Sequence, residues 1–231
     1  NNDWRREVIP PSTERKTNWR LYREYSCGLM TELASHHLQV ANWVLDAHPV
    51  SVTGTGSINY WNDGREVFDN VAVIYSYPNG VQFIYDSVIS NKKYGLEVQV
   101  MGPQGTVEME AGKYYLENPP AAPGIVQLIN SLEKDLFEVV PVGGPSWVPE
   151  NPSEDKGDYF INKILRSDGS DMQLVAFAEA VRQNKVIPGL AEQGYLAGVA
   201  TLMGDEATLT GKTIYWPSEL EIEAIKKSVE I

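Results

Sequence analysis

Apolar and polar positions change rhythm twice along the 231-residue chain. Over 29–45 the apolar residues recur at helical spacing: 100° steps place Leu29, Leu33, Val40 and Val44 on one stripe, and Pro49 bars further helix. From 50 to 117 the rhythm becomes alternation with turn residues between the runs, which predicts strands. Runs at 70–77 and 81–90 flank Pro78-Asn79-Gly80, and runs at 96–101 and 106–110 flank Gly102-Pro103-Gln104-Gly105, so two hairpins are expected. In the first hairpin Val71, Val73, Tyr75 and Tyr77 share one face. Helical spacing then returns. Ser170 with Gln173 makes a capping box ahead of a stripe of Leu174, Phe177, Ala178 and Val181. A second helix over 192–210 directs Leu196, Val199, Leu202 and Met203 inward, and 212–216 reads as a last strand.

A helix, then consecutive strands, then two helices predict an α+β fold rather than a doubly wound sheet. The expected architecture is an open, largely antiparallel β-sheet with helices packed on one face. Residues 1–26 read as an entry arm and 27–217 as one domain, interrupted by a Pro- and Gly-rich excursion at 117–158 with a short element near 125–142; 218–231 form a tail. The uncovered sheet face is expected to be rich in Tyr, Val and Ile, and so to favour a homo-oligomer.

Composition narrows the function. The net charge is −12, from 31 acidic and 19 basic residues, which disfavours a nucleic-acid surface built on clustered cations. No apolar run reaches the ~20 residues of a membrane span. Cys27 is the only cysteine, so an intrachain disulfide and a four-cysteine zinc site are excluded. The chain begins Asn1-Asn2-Asp3 without Met or a signal-peptide pattern, so a piece of a longer protein is expected, and its compartment is left open.

Candidate chemistry gathers in "CGLMTELASHHLQVANWVLDAHP" at 27–49, which holds all three histidines. On a helical wheel Glu32, His36, Gln39 and Trp43 share one edge, and Glu32 and His36 stand at i, i+4, within mutual reach. The pair reads as a helix-edge salt bridge, as a carboxylate-oriented general base, or, with a distant third ligand, as part of a metal site. His37 points about 100° away from His36, so the two do not form a metal claw. His48 before Pro49 suits a helix C-terminus, and Cys27 suits packing. In the arm, Trp19, Tyr22 and Tyr25 with Arg20 and Arg23 either line a sugar pocket or pack the arm down. "GTGSIN" at 54–59 has two glycines of a phosphate cradle, but lacks the third and has no helix behind it.

These segments carry a resemblance. "NWRLYREYSCGLMTELASHHLQVANW" at 18–43 resembles the entry to the C-terminal domain of Gfo/Idh/MocA oxidoreductases, whose signature is approximately Gly-Gly-x-x-x-Asp-x-Gly-x-His-x-x-Asp. Cys27-Gly28 stands for the glycine pair, Glu32 for the first acid, Ala34 for the next glycine, His36 for the histidine and Gln39 for the last acid. "YWNDGREVFDNVAVIYSYPNGV", "GPQGTVEM" and "LVAFAEAVRQNKVIPGLAEQGYLAGVATLMGDEATLTGKTIYW" are similar to the family's sheet segments and closing helices. The resemblance implies the substrate-binding and oligomerisation domain of an NAD- or NADP-dependent oxidoreductase acting on a sugar, inositol or related polyol. It implies that His36 assists proton transfer beside Glu32, that no metal takes part, and that the nucleotide sits on a Rossmann domain outside this chain, which is inactive alone. Gln39, Arg20, Tyr22 and Arg23 are the candidate substrate contacts. Gln39 in place of an acid and Ala34 in place of glycine leave two alternatives open: a non-catalytic carbohydrate-binding or scaffold protein, and a relative that cleaves glycosides through transient oxidation.

Overall fold

The structure, a computed structural model, describes residues 4–93, 95–116, 158–159 and 169–223. The expected excursion at 117–158, apart from its last residue, and the end of the tail lie outside these residues. The chain divides into two compact units, Asn1–Lys93 with Ala176–Ile231, and Tyr94–Val175.

In the first unit the entry arm carries one helical turn, α1 (Glu14–Thr17), and a π-helical turn at Met30–Ala34 leads into α2 (Ser35–Leu45). Three antiparallel strands follow: β1 (Ser51–Ser57), β2 (Asn70–Ser76) and β3 (Gln82–Val88). Asn79 and Gly80 take left-handed backbone conformations at the β2–β3 turn, as an Asn-Gly pair readily does. Two helices, α3 (Ser170–Gln183) and α4 (Leu190–Thr210), and two short strands, β7 (Asp158–Tyr159) and β8 (Ile214–Tyr215), complete the described chain. β8 pairs with β1, giving the sheet order β3-β2-β1-β8.

Alternation along β2 sends Val71, Val73 and Tyr75 inward, where they meet Met30, Leu38, Ala200 and Met203. Tyr75 is fully buried, and its hydroxyl donates to the Ala200 carbonyl at 3.0 Å. Gly204 lets α4 come this close: a Cβ there would stand 2.0 Å from the Tyr75 hydroxyl and 2.6 Å from Met30 Cε. Tyr77 donates to Asn42 Oδ1 at 2.6 Å, pinning α2 to the sheet.

The second unit holds a separate antiparallel sheet: β4 (Gln99–Gly102), β5 (Gly105–Glu108), β6 (Lys113–Leu116) and β7. The fold class is α+β, as expected, but the single expected sheet is two. Asn91 closes a turn onto Val88, and Gly95 adopts a left-handed conformation, so the ladder stops at β3.

Four burial expectations are corrected. α2 buries Leu38 and Asn42 in line with Met30 and Ala34, while Val40 and Val44 face out. Leu202 is on the outer side of α4. The α3 stripe is exposed, Phe177 at 65%, and no α3 residue is buried. Tyr75, Tyr77 and Tyr85 face the core, so the uncovered sheet face presents Ile74, Ile84 and Val88 beside Thr53, Thr55 and Asp86. Periodicity shows which positions share a side of an element; it does not say what packs against that side.

Candidate functional site

The π turn shapes the site. The Ser35 N–H reaches back five residues to the Met30 carbonyl, and Ser35 Oγ donates at 2.8 Å to the Thr31 carbonyl that an α-helix would have given to that N–H. The stretch from Glu32 to His36 therefore crosses a turn of longer period than the α-helix on which their i, i+4 contact was predicated. No hydrogen bond or ion pair joins the two. Glu32 is instead held on both oxygens: Arg20 Nε donates to Oε2 at 2.9 Å, and Ser26 Oγ donates to Oε1 at 3.1 Å. The buried Ser26 hydroxyl in turn accepts the Gly28 N–H at 3.0 Å.

His36 stands one turn on, exposed, at an open groove of about 310 Å³. The groove is lined by His36, Gln39, Val40 and Trp43 of α2 and by Gln193 from the first turn of α4. Trp43 is 68% exposed there. The lining thus combines one imidazole, two neutral amides and an indole face. An amide both donates and accepts, so it can pair with hydroxyls in either sense, and an indole offers an apolar plane.

The remaining candidates go elsewhere. Tyr22 is buried in the arm, its hydroxyl donating to Glu14 Oε1 at 2.8 Å and its ring lying under Arg15. Arg23 pairs with Asp205 of α4, a residue with nothing in its sequence context to announce it. Arg5 joins Glu14 and Asp63, and Arg65 also holds Asp63. Hydrogen bonding by Arg65, outweighing burial, and then by Arg5 holds the Asp63 carboxyl well below its ordinary range. Arg20 thus lies with Glu32, and His36 with Gln39, whereas Tyr22 and Arg23 serve the packing of the arm.

The other two histidines have structural partners. His37 Nδ1 is 3.2 Å from the Leu33 carbonyl and its ring packs on Tyr85. His48 does not cap α2 as expected: the helix closes at Asp46, in a left-handed conformation, and the His48 ring stacks on Trp216 with Nε2 3.3 Å from Glu221. Burial, and then the neighbouring Asp205 carboxylate, push the Cys27 thiol up, which opposes a nucleophilic role. Among the described residues no group of three or more His, Cys, Asp or Glu could hold a metal, and no helix is long and apolar enough to cross a membrane.

Gln193 and Ser26 were not picked out in the sequence. Gln193 reaches the groove through the packing of α4 against α2, a contact between positions more than 150 residues apart that no local pattern encodes.

The "GTGSIN" segment does not form a phosphate cradle. The glycines of "GTGSIN" lie in or beside β1, where a Cβ on Gly54 would meet Val73 Cγ1 at 2.3 Å and one on Gly56 would meet Phe68 Cδ2 at 2.3 Å. They serve sheet packing, and β1 leads into a loop rather than a helix N-terminus, so the phosphate cradle is lacking.

A family model described as the GFO/IDH/MocA C-terminal domain matches residues 2–108. No curated protein matches the chain. Among solved structures, the fold is similar to that of an aldose-aldose oxidoreductase from Caulobacter crescentus complexed with glycerol, at a TM-score of 0.55 and 19% identity, over 86% of this chain and 50% of that one. It is similar also to an oxidoreductase domain protein from Kribbella flavida (TM-score 0.58, 12% identity, 94% and 55% of the two chains). A third is levoglucosan dehydrogenase in complex with NADH and L-sorbose (TM-score 0.56, 13% identity, 86% and 53%). At these identities the likeness is one of fold. The chain spans about half the length of each.

Proposed function

We propose that this chain, whose residues 2–108 match the GFO/IDH/MocA C-terminal domain model, is the sugar- or polyol-binding part of an NAD- or NADP-dependent oxidoreductase. The observation that carries the reading is the groove on the outer face of α2, where His36, Gln39, Trp43 and Gln193 meet. In this reading the apolar face of a sugar ring lies on Trp43, and the Gln39 and Gln193 amides bind hydroxyls. The His36 imidazole takes the proton from the hydroxyl being oxidised and returns it in the reverse direction, the commonest role for an imidazole in acid–base catalysis. The hydride acceptor is nicotinamide, held by another part of the full-length protein. Residues 27–217 work as one substrate and oligomerisation domain entered through residues 1–26, and the uncovered face with Ile74 and Ile84 pairs with a second copy.

The separation of Glu32 from His36 favours one alternative enough to keep it, a carbohydrate-binding protein without turnover on the same fold. One experiment separates the two. In the full-length protein, nicotinamide reduction is followed over a panel of sugars and polyols, with and without His36→Ala. Turnover that falls by about 10²–10⁴-fold in the variant supports proton transfer at His36. Turnover unchanged by the substitution removes His36 from the mechanism, and saturable sugar binding without any turnover supports the binding protein.

A further inference from the structure

The arm holds six cations at residues 5–23, and the structure sorts them. Arg5, Arg15 and Arg23 are committed to carboxylates of the chain itself. Arg20 differs. Its Nε is fixed by Glu32, its side chain is 46% exposed, and among the described residues neither Nη group has a partner. The guanidinium carbon lies 4.9 Å from the centroid of the partly exposed Trp19 ring, so the fork is held beside an aromatic face.

We propose that Arg20 and Trp19 form a subsite for two adjacent hydroxyls of a neutral sugar, with Ser26 and Glu32 as positioning residues; the proposal rests on the reading of the chain as sugar-binding. The two Nη groups of a planar fork donate in parallel to neighbouring oxygens. Glu32 holds the third side of the fork, and the buried Ser26 hydroxyl, itself receiving the Gly28 N–H, fixes the carboxylate that does so. The same geometry sets the charge of the ligand. A free guanidinium prefers a carboxylate or phosphate. Here the Glu32 carboxylate already neutralises Arg20 at 2.9 Å, and a ligand carboxylate on the far side of the fork would face it in a chain of net charge −12. Neutral hydroxyls take the two donors without that repulsion.

The test is calorimetric titration of the chain with D-glucose and D-glucuronate, which differ only in the oxidation of one carbon and require no cofactor. D-glucose is expected to bind tighter. Arg20→Gln is expected to lose about tenfold in D-glucose affinity, the scale of losing one paired donor set. Glu32→Gln keeps a hydrogen-bond acceptor for Arg20 but removes the charge, and is expected to move the glucose-to-glucuronate affinity ratio by about tenfold towards the acid. A purely structural role for Glu32 would weaken both sugars together. Ser26→Ala is expected to weaken both without moving the ratio. Circular dichroism confirms that each variant is folded. An unchanged ratio in Glu32→Gln, unchanged affinity in Arg20→Gln, or no binding of either sugar by the folded chain overturns the subsite. Charge-selective binding without turnover in the full-length protein overturns only the oxidoreductase reading; turnover with an unchanged ratio overturns only the subsite.

Discussion

The two sides of α2 are both apolar and meet opposite fates. On the inner side Met30 and Ala34 of the preceding π turn and Leu38 and Asn42 of α2 are buried, the first three in the core shared with β2 and α4. Even the polar Asn42 is engaged there, accepting the Tyr77 hydroxyl. On the outer side Val40, Trp43 and Val44 are exposed beside His36 and Gln39. Neither size nor hydrophobicity separates the two sides, since Met30 and Leu38 are buried while the smaller Val40 and Val44 are exposed; what packs against each side does. The arm shows a similar division between groups already committed, as in Arg5 and Arg23, and a group held ready, as in Arg20.

Substitutions should break the two sides differently. Leu38→Ala, at a fully buried position, is expected to cost about 2–5 kcal/mol in denaturant unfolding, through lost burial and the cavity left behind. Tyr77→Phe removes the donor to Asn42 Oδ1, whose Nδ2 already lacks a partner, and is expected to cost about 1–3 kcal/mol in the same assay. The committed charges add a pH dependence. Asp63 has its folded pKa held below the unfolded value by Arg65 and Arg5, so its stabilisation is complete above the unfolded pKa of about 4 and is lost as pH falls through the folded value. Thermal midpoints measured below about pH 4 should therefore fall less steeply in Asp63→Asn than in the parent chain. At the outer face Trp43→Ala is expected to change stability by no more than about 0.5 kcal/mol while weakening sugar binding at the groove. A Trp43 variant that unfolds as readily as Leu38→Ala would erase the distinction between the two sides.

The strands were legible because alternation is a local property. β2 and β3 stand where the period-two runs and the Asn79-Gly80 turn put them, and Val71, Val73 and Tyr75 share the buried face. The site was legible in part: Glu32, His36, Gln39 and Trp43 were placed on one edge of a helix, and His36, Gln39 and Trp43 do line one groove. The contact between Glu32 and His36 was not, because it assumed α-helical spacing across what is a π turn.

What the sequence determined by itself was the type and order of the elements and the residues that share a face, since backbone geometry repeats over a few residues. Only the tertiary structure decided which apolar side of α2 is core, that Leu202 faces out, that Gln193 joins His36, and that Glu32 belongs to Arg20 and Ser26. Each of these depends on what another element brings alongside, and partners distant in the chain leave no trace in local periodicity.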